Sequence, residues 1–183
     1  VEVVDLLLQL PDGMSVPPDS TRVHGITDAR LLLQGERPER ALADVSRLAR
    51  RADVIVGHNL GFDLRMLELT ADRYGIRLPS VLLPGERKTL KPRVCTMKEG
   101  TSLCRLPAKY RGLGWKYPRL AELAQHLFHE TPPGLHDSLV DVLVCLRCHI
   151  WMWAGIDLFR AGGYGDVSSI LLYPPASCLL PLA

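Results

Sequence analysis

The chain has 183 residues, enough for one domain with a sizeable core. Hydrophobic residues make up 47% and charged residues 23%, as in an ordinary soluble globular protein. No apolar run nears the roughly 18–20 residues needed to span a bilayer, and no signal peptide is readable at the start, so no membrane partner is expected. Five cysteines are an odd number. Without an export signal they read as free thiols of an intracellular protein, cytoplasmic or nuclear. The net charge of +2 is unevenly spread. From Pro84 to Arg119 there are ten Lys or Arg against two acids, a local +8 that leaves −6 for the rest. A basic segment on an acidic body suits a polyanionic partner; a solvated loop with scattered charge is the alternative.

Val3 to Leu10 is a short Val- and Leu-rich run broken by Pro11-Asp12-Gly13, the pattern of a buried strand. Ser15 to Arg22 holds Pro17, Pro18 and Asp19 and is expected to be a loop, and Thr27 can cap a short helix that follows it. Pro38 to Arg51 is a predicted helix, with proline in its first turn and Leu42, Val45, Leu48 and Ala52 on one face. The β-branched run Asp53 to Gly57 is a predicted strand. Phe62 to Tyr74 is a predicted helix stopped by Gly75. Leu78 to Tyr117 is irregular, with Pro79, Pro84, Pro92 and Pro107 and a short strand at Arg93 to Met97. Pro118 to Phe128 and Asp137 to Trp153 are the last two predicted helices. Beyond Gly155 periodicity fades. The expected organisation is one domain over residues 1–154 and a poorly specified tail over 155–183. Strands alternating with helices predict an α/β fold with a mixed sheet flanked by helices.

Two motifs carry chemistry. Gly57-His58-Asn59-Leu60-Gly61-Phe62-Asp63 places an acid in the first turn of a helix that follows a strand, where sites of such folds gather. His136-Asp137-Ser138-Leu139-Val140-Asp141 places a histidine at a helix entrance and an aspartate five residues on. Hydrolysis of a phosphodiester assisted by metals needs these residue types. Two divalent ions about 3.5–4 Å apart clamp the attacking and leaving oxygens. Hard ions such as Mg²⁺ favour carboxylate oxygens, and a histidine can accept the proton of the attacking water. Asp63 and Asp141 are the candidate metal ligands and His136 the candidate base. Read alone, each has a plainer role as a helix-start acid or cap. Asp137 reads as a helix-start acid, His58 as a residue that ties its loop down, and His24 as structural.

HNxxFD followed by HxxxxD, each entering a helix, resembles the second and third motifs of the DEDDh 3′–5′ exonucleases, a family of ribonuclease H-like fold that includes proofreading subunits and RNase T relatives. Val23 to Thr27 resembles the family's HGIT segment, Val94 to Met97 its intervening strand, and Pro118 to Leu123 the helix before its third motif. The likeness runs from about Val1 to Trp153. It implies Asp63 and Asp141 as metal ligands, His136 as general base, Mg²⁺ or Mn²⁺ as cofactor with two ions in a complete domain, and a DNA or RNA 3′ end as substrate, with a polymerase or other protein as a further partner. Asn59 and Phe62 match positions beside the active site. Lys88, Lys91 and Lys109 of the basic stretch are candidates for holding phosphates, with Tyr110, Trp115 or Tyr117 stacking on bases. The family's first motif, DxE, has no match here: Glu2 and Asp5 are three apart rather than two and fall in what aligns as a later strand. The likeness therefore implies a fold lacking its first one or two strands, an N-terminally incomplete excerpt, and little or no activity for the chain by itself. The alternative is an exonuclease-like module that only binds nucleic acid or protein.

Cys145-Leu146-Arg147-Cys148-His149 matches a haem-attachment, redox or zinc pattern. Its place inside a periodic helix instead predicts buried thiols. Trp151 and Trp153 read as packing or interface residues.

Overall fold

The structure is a computed structural model that describes residues 2–83, 91–109 and 114–159. Residues 2–10 are not a continuous strand. They meet the rest of the chain at one parallel bridge, Leu8 to Glu36, with Glu36 N–H donating to Leu7 O at 2.7 Å and Gln9 N–H to Glu36 O at 3.0 Å. A strand needs a neighbour along its length. Glu36 lies in the short link between two helices and offers only one residue for pairing.

The helix α1 spans Pro18–His24, where breakers suggested a loop. The breaker acts as a starter: Pro18 takes a first-turn position, where its missing N–H costs nothing, and Gly25 closes the helix at φ 70°. The helix α2 spans Asp28–Gln34, and the Thr27 side chain accepts from Arg30 N–H at 3.2 Å, the expected cap. Only Leu31 of α2 is buried. The helix α3 has its predicted bounds, Pro38–Arg51, but it buries Ala41, Leu42, Ser46 and Ala49, while Val45, Leu48 and Ala52 of the expected face are half-buried.

Strand β1 is Ile55–Gly57, and Leu60–Arg73 forms α4. After a single 3-10 turn at Ser80–Leu82 comes β2, Arg93–Cys95. The two strands pair in parallel, Ile55 with Arg93, Val56 with Val94 and Gly57 with Cys95. The fold is α/β, and among the described residues its sheet is reduced to this parallel pair. Strand β2 stops two residues earlier than expected because Thr96 begins another helix, α5, Thr96–Cys104. The helices α6, Leu120–Phe128, and α7, Ser138–Ala154, complete the fold.

Two apolar clusters hold these elements. Leu42, Ala49, Leu60, Leu64, Ala71, Leu78, Val81 and Leu82 join α3, α4 and the 3-10 turn. Leu123, Ala124, Leu127, Val144 and Cys148 join α6 to α7. Past α7, Asp157 grips Arg147 through two bonds, Nε to Oδ1 at 2.7 Å and Nη2 to Oδ2 at 2.8 Å. The guanidinium also pairs with Glu130 and lies 3.8 Å over the Phe128 ring. Among the described residues, no helix is long and apolar enough to cross a membrane.

Candidate active site

Parallel strands leave their carboxyl ends on one side, and the first site-bearing loop departs from there, whereas the second joins α6 to α7. After Gly57 the chain passes through His58 and Asn59 into α4, whose first turn carries Phe62 and Asp63. Asn59 adopts a left-handed conformation, φ 66° and ψ 39°, to turn the chain from strand to helix. Asparagine accepts this region more readily than other side chains bearing a Cβ. Phe62 is 58% exposed.

The second motif opens α7. Asp137 caps the helix, its Oδ1 accepting from Leu139 N–H at 3.1 Å and Val140 N–H at 3.2 Å, as a helix-start acid should. His136, just ahead, is exposed and sits at φ 80°. Its backbone N–H donates to Asp141 Oδ1 at 3.2 Å, which ties the candidate base to the candidate ligand. Asp5 joins the same helix entrance, accepting from the Ser138 hydroxyl at 3.3 Å.

The helices that carry the two aspartates, α4 and α7, both pack against β1. The Cys145 thiol, one turn beyond Asp141, is pushed up to about 11, first by burial and then by the negative charges of Asp63 and Asp141 acting on it together. Asp63 itself titrates above the ordinary carboxylate range. Partial desolvation of this otherwise exposed residue disfavours its charged form, a cost only partly offset by its own backbone N–H. Among the described residues Asp63 has no basic partner.

Behind the aspartates lies a hydrogen-bonded spine. His58 Nδ1 stands 3.0 Å from Thr96 Oγ1, and His58 Nε2 stands 3.1 Å from Pro118 O. Thr96 is fully buried, and its hydroxyl lies 3.5 Å from Cys145 Sγ. Burial holds the His58 ring below the usual histidine value, against the opposing pull of the Pro118 carbonyl and the Asp141 charge. His58 therefore ties together the α4 entrance, the start of α5 and the segment before α6. The sequence pointed to a loop-tying role for His58. It carried no signal for Thr96, which read as part of a strand, or for Cys145 as a neighbour of both acids.

The basic candidates fall in different places. Lys88 lies outside the described residues. Lys91 precedes β2, at the end of the strand pair opposite Asp63, and its ammonium donates to the carbonyls of Ala49, at 3.2 Å, Arg50 and Ala52. It closes the carboxyl end of α3. Arg93 likewise donates to the carbonyls of Ser80, Val81 and Leu83. Lys109 is exposed. The motif Cys145 to His149 is part of α7 as expected. Cys145 and Cys148 are buried free thiols, and burial pushes Cys148 up to about 12. Trp151 packs edge-on against Phe128, the ring centroids 6.4 Å apart, while Trp153 is 54% exposed.

Among the described residues no group of three or more His, Cys, Asp or Glu could hold a metal ion. The pair Asp63 and Asp141 nonetheless fits a Mg²⁺-class ion in kind. Such ions keep several waters and often take only one or two protein carboxylates together with substrate phosphate oxygens. A desolvated carboxylate without a basic partner is suited to gain from a cation. The family model RNase_T, described as an exonuclease, matches residues 3–148, a stretch that includes both motifs and the spine. A search among curated proteins gives no match.

Proposed function

Because the chain belongs to the RNase_T exonuclease family, we propose that it carries half of a 3′–5′ exonuclease site, in which Asp63 and Asp141 hold Mg²⁺ or Mn²⁺ and His136 is the general base. The single observation that supports this reading best is the His136 N–H bond to Asp141 Oδ1, which joins the candidate base to a candidate ligand within the stretch that the exonuclease family model matches. Divalent ions bound there would supply charge to the phosphate and activate water. The remaining work belongs to side chains of this chain. Asp141 is oriented by the His136 N–H. His136, exposed at the mouth of α7, would take a proton from water at a ring nitrogen. The substrate is the 3′ end of DNA or RNA. With two carboxylates rather than four, the chain alone binds metal weakly and turns over little or not at all.

Calorimetry with Mn²⁺, comparing the parent with an Asp63→Asn, Asp141→Asn double variant, tests the site. Heat of binding that vanishes in the variant supports it; equal binding in both overturns it. Incubating each protein with Mn²⁺ and a 5′-labelled oligonucleotide then separates the two functional readings. Stepwise shortening from the 3′ end, lost in the variant, marks an exonuclease. Binding without shortening marks a half-site where Mn²⁺ binding needs the two aspartates, and a non-hydrolysing module where it does not.

A further inference from the structure

Between α5 and α6 the chain presents an outward face that the carboxylates do not explain. Trp115 bridges Pro107 in an antiparallel sense, and Lys116 N–H donates to Leu106 O at 2.9 Å, so the chain runs extended through Trp115 after a turn at Gly114, φ 73°. Side chains alternate across extended backbone. Lys116 turns inward to Glu122, Nζ to Oε1 at 2.6 Å, and Pro118 is buried. Trp115, Tyr117 and Arg119 turn outward, and the two rings are 52% and 57% exposed. Large aromatic rings gain most when covered, so two left bare beside a cation call for an occupant. The segment is also fixed to the site: His58 Nε2 meets Pro118 O, and His58 directly precedes Asn59 and the helix that carries Asp63.

We propose that Trp115 and Tyr117 form a stacking shelf for the bases of single-stranded nucleic acid on its way to the carboxylates, with Arg119 beside them to meet phosphates. The inference rests on the nuclease reading and specifies the form of its substrate. Every base has a π face, so a shelf of rings accepts any sequence, whereas a duplex keeps those faces stacked inside. Of the ten cations between Pro84 and Arg119, those other than Lys91, Arg93 and Lys116, which are tied into the fold, supply attraction for a polyanion that the acidic remainder of the chain cannot.

Fluorescence anisotropy of a labelled oligothymidylate, recorded in EDTA, tests the shelf without metal. Single strand should bind in preference to duplex of equal length. Trp115→Ala and Tyr117→Ala should each weaken binding on the order of tenfold, while Trp115→Phe and Tyr117→Phe keep most of it. Unchanged melting temperatures show that the variants fold, as expected for exposed side chains. The shelf is overturned if the alanine variants bind like the parent, if the phenylalanine variants lose as much as the alanine ones, or if duplex binds equally well. Mn²⁺ binding at Asp63 and Asp141 is measured separately by calorimetry. A failed shelf therefore leaves the nuclease site standing, and a failed metal site leaves the shelf open to its own test.

Discussion

His58 Nε2 stands 3.1 Å from the carbonyl oxygen of Pro118, sixty residues away in the chain. A carbonyl only accepts, so Nε2 carries the ring proton and Nδ1 accepts from the Thr96 hydroxyl at 3.0 Å. Thr96→Val keeps the shape of a fully buried side chain and removes that hydroxyl, leaving Nδ1 without its donor. The expected loss is about 1–3 kcal/mol in urea denaturation. A double cycle with His58→Phe should show coupling of about 0.5–3 kcal/mol. Strict additivity would mean that the two side chains do not share a bond.

The same spine sets a pH window. His58 titrates below its ordinary 6.5 because burial disfavours the charged ring. Below 6.5 the unfolded chain therefore binds more protons than the folded one, so stability is full above that value and falls as pH drops through it. Cys145 and Cys148 have the opposite effect. Their ordinary value is 9.0 and burial raises them to about 11 and 12. Above pH 9 the unfolded thiols ionise first, and stability falls again as pH climbs toward those values. Denaturation midpoints across pH 5 to 11 should trace a plateau with two falling edges. Cys145→Ala, Cys148→Ala should flatten the alkaline edge and leave the acid edge in place.

Gly100 sits inside α5, where alanine would ordinarily gain roughly 1 kcal/mol of helix propensity. A Cβ there would stand 2.7 Å from Leu123 Cδ1, and Leu123 is fully buried, so its methyl has nowhere to move. Overpacking of this kind costs about 1–3 kcal/mol. Gly100→Ala should therefore destabilise the parent, and the same change made in a Leu123→Ala background should cost less. A melting temperature that rises in the single variant would refute the clash.

Arg147 is 6% exposed and its partner Asp157 is 18% exposed. Replacing the arginine by methionine leaves that carboxylate nearly buried and without its fork, a cost of about 3–5 kcal/mol. Arg147→Lys keeps a charge but cannot supply two parallel bonds, so it should fall between methionine and the parent. Equal stability of all three, read by urea denaturation, would show that the Asp157 grip contributes nothing.

Lys91 was a candidate phosphate ligand in the sequence, and its bonds to the end of α3 give it a different use. Lys91→Met should cost about 0.5–2 kcal/mol of stability through the lost carbonyl partners and leave the salt dependence of oligonucleotide binding unchanged. For a lysine that does meet phosphate, the logarithmic salt slope should fall by roughly one unit. Comparing Lys91→Met with Lys109→Ala in one salt titration separates the two roles.

Where hydrophobic periodicity is strong, the bounds were legible, as for α3 from Pro38 to Arg51, whereas the buried face of α7 runs through Val144, Cys145 and Cys148 and leaves Val142 of its apolar stripe 63% exposed. The same method missed α5, because its inward positions are Thr96, Met97, Gly100, Thr101 and Cys104. These have helical spacing, yet too few are apolar to register in a hydrophobic count. Residues 3–10 failed in the opposite direction: they are apolar enough for a strand but have one bridging residue to pair with, and composition says nothing about the neighbour. At the site, Asp63, His136 and Asp141 could be named from their motifs. The support around them could not. Thr96 and Pro118 meet His58 only after two helices and a loop have been folded over it, which no local pattern encodes.

Of the non-glycine residues described at positive φ, two stand at the doorways of the helices that carry the aspartates, Asn59 at 66° and His136 at 80°. Every ordinary side chain placed there carries a penalty of roughly 1–2 kcal/mol that glycine escapes. The alphabet open to mutation at these two positions is therefore short for reasons unrelated to chemistry. A library of all substitutions, sorted only for folding, would be led by glycine at both doorways. Wherever a sort for function instead returns asparagine or histidine, the distance between the two rankings measures what the side chain contributes beyond its permission to bend.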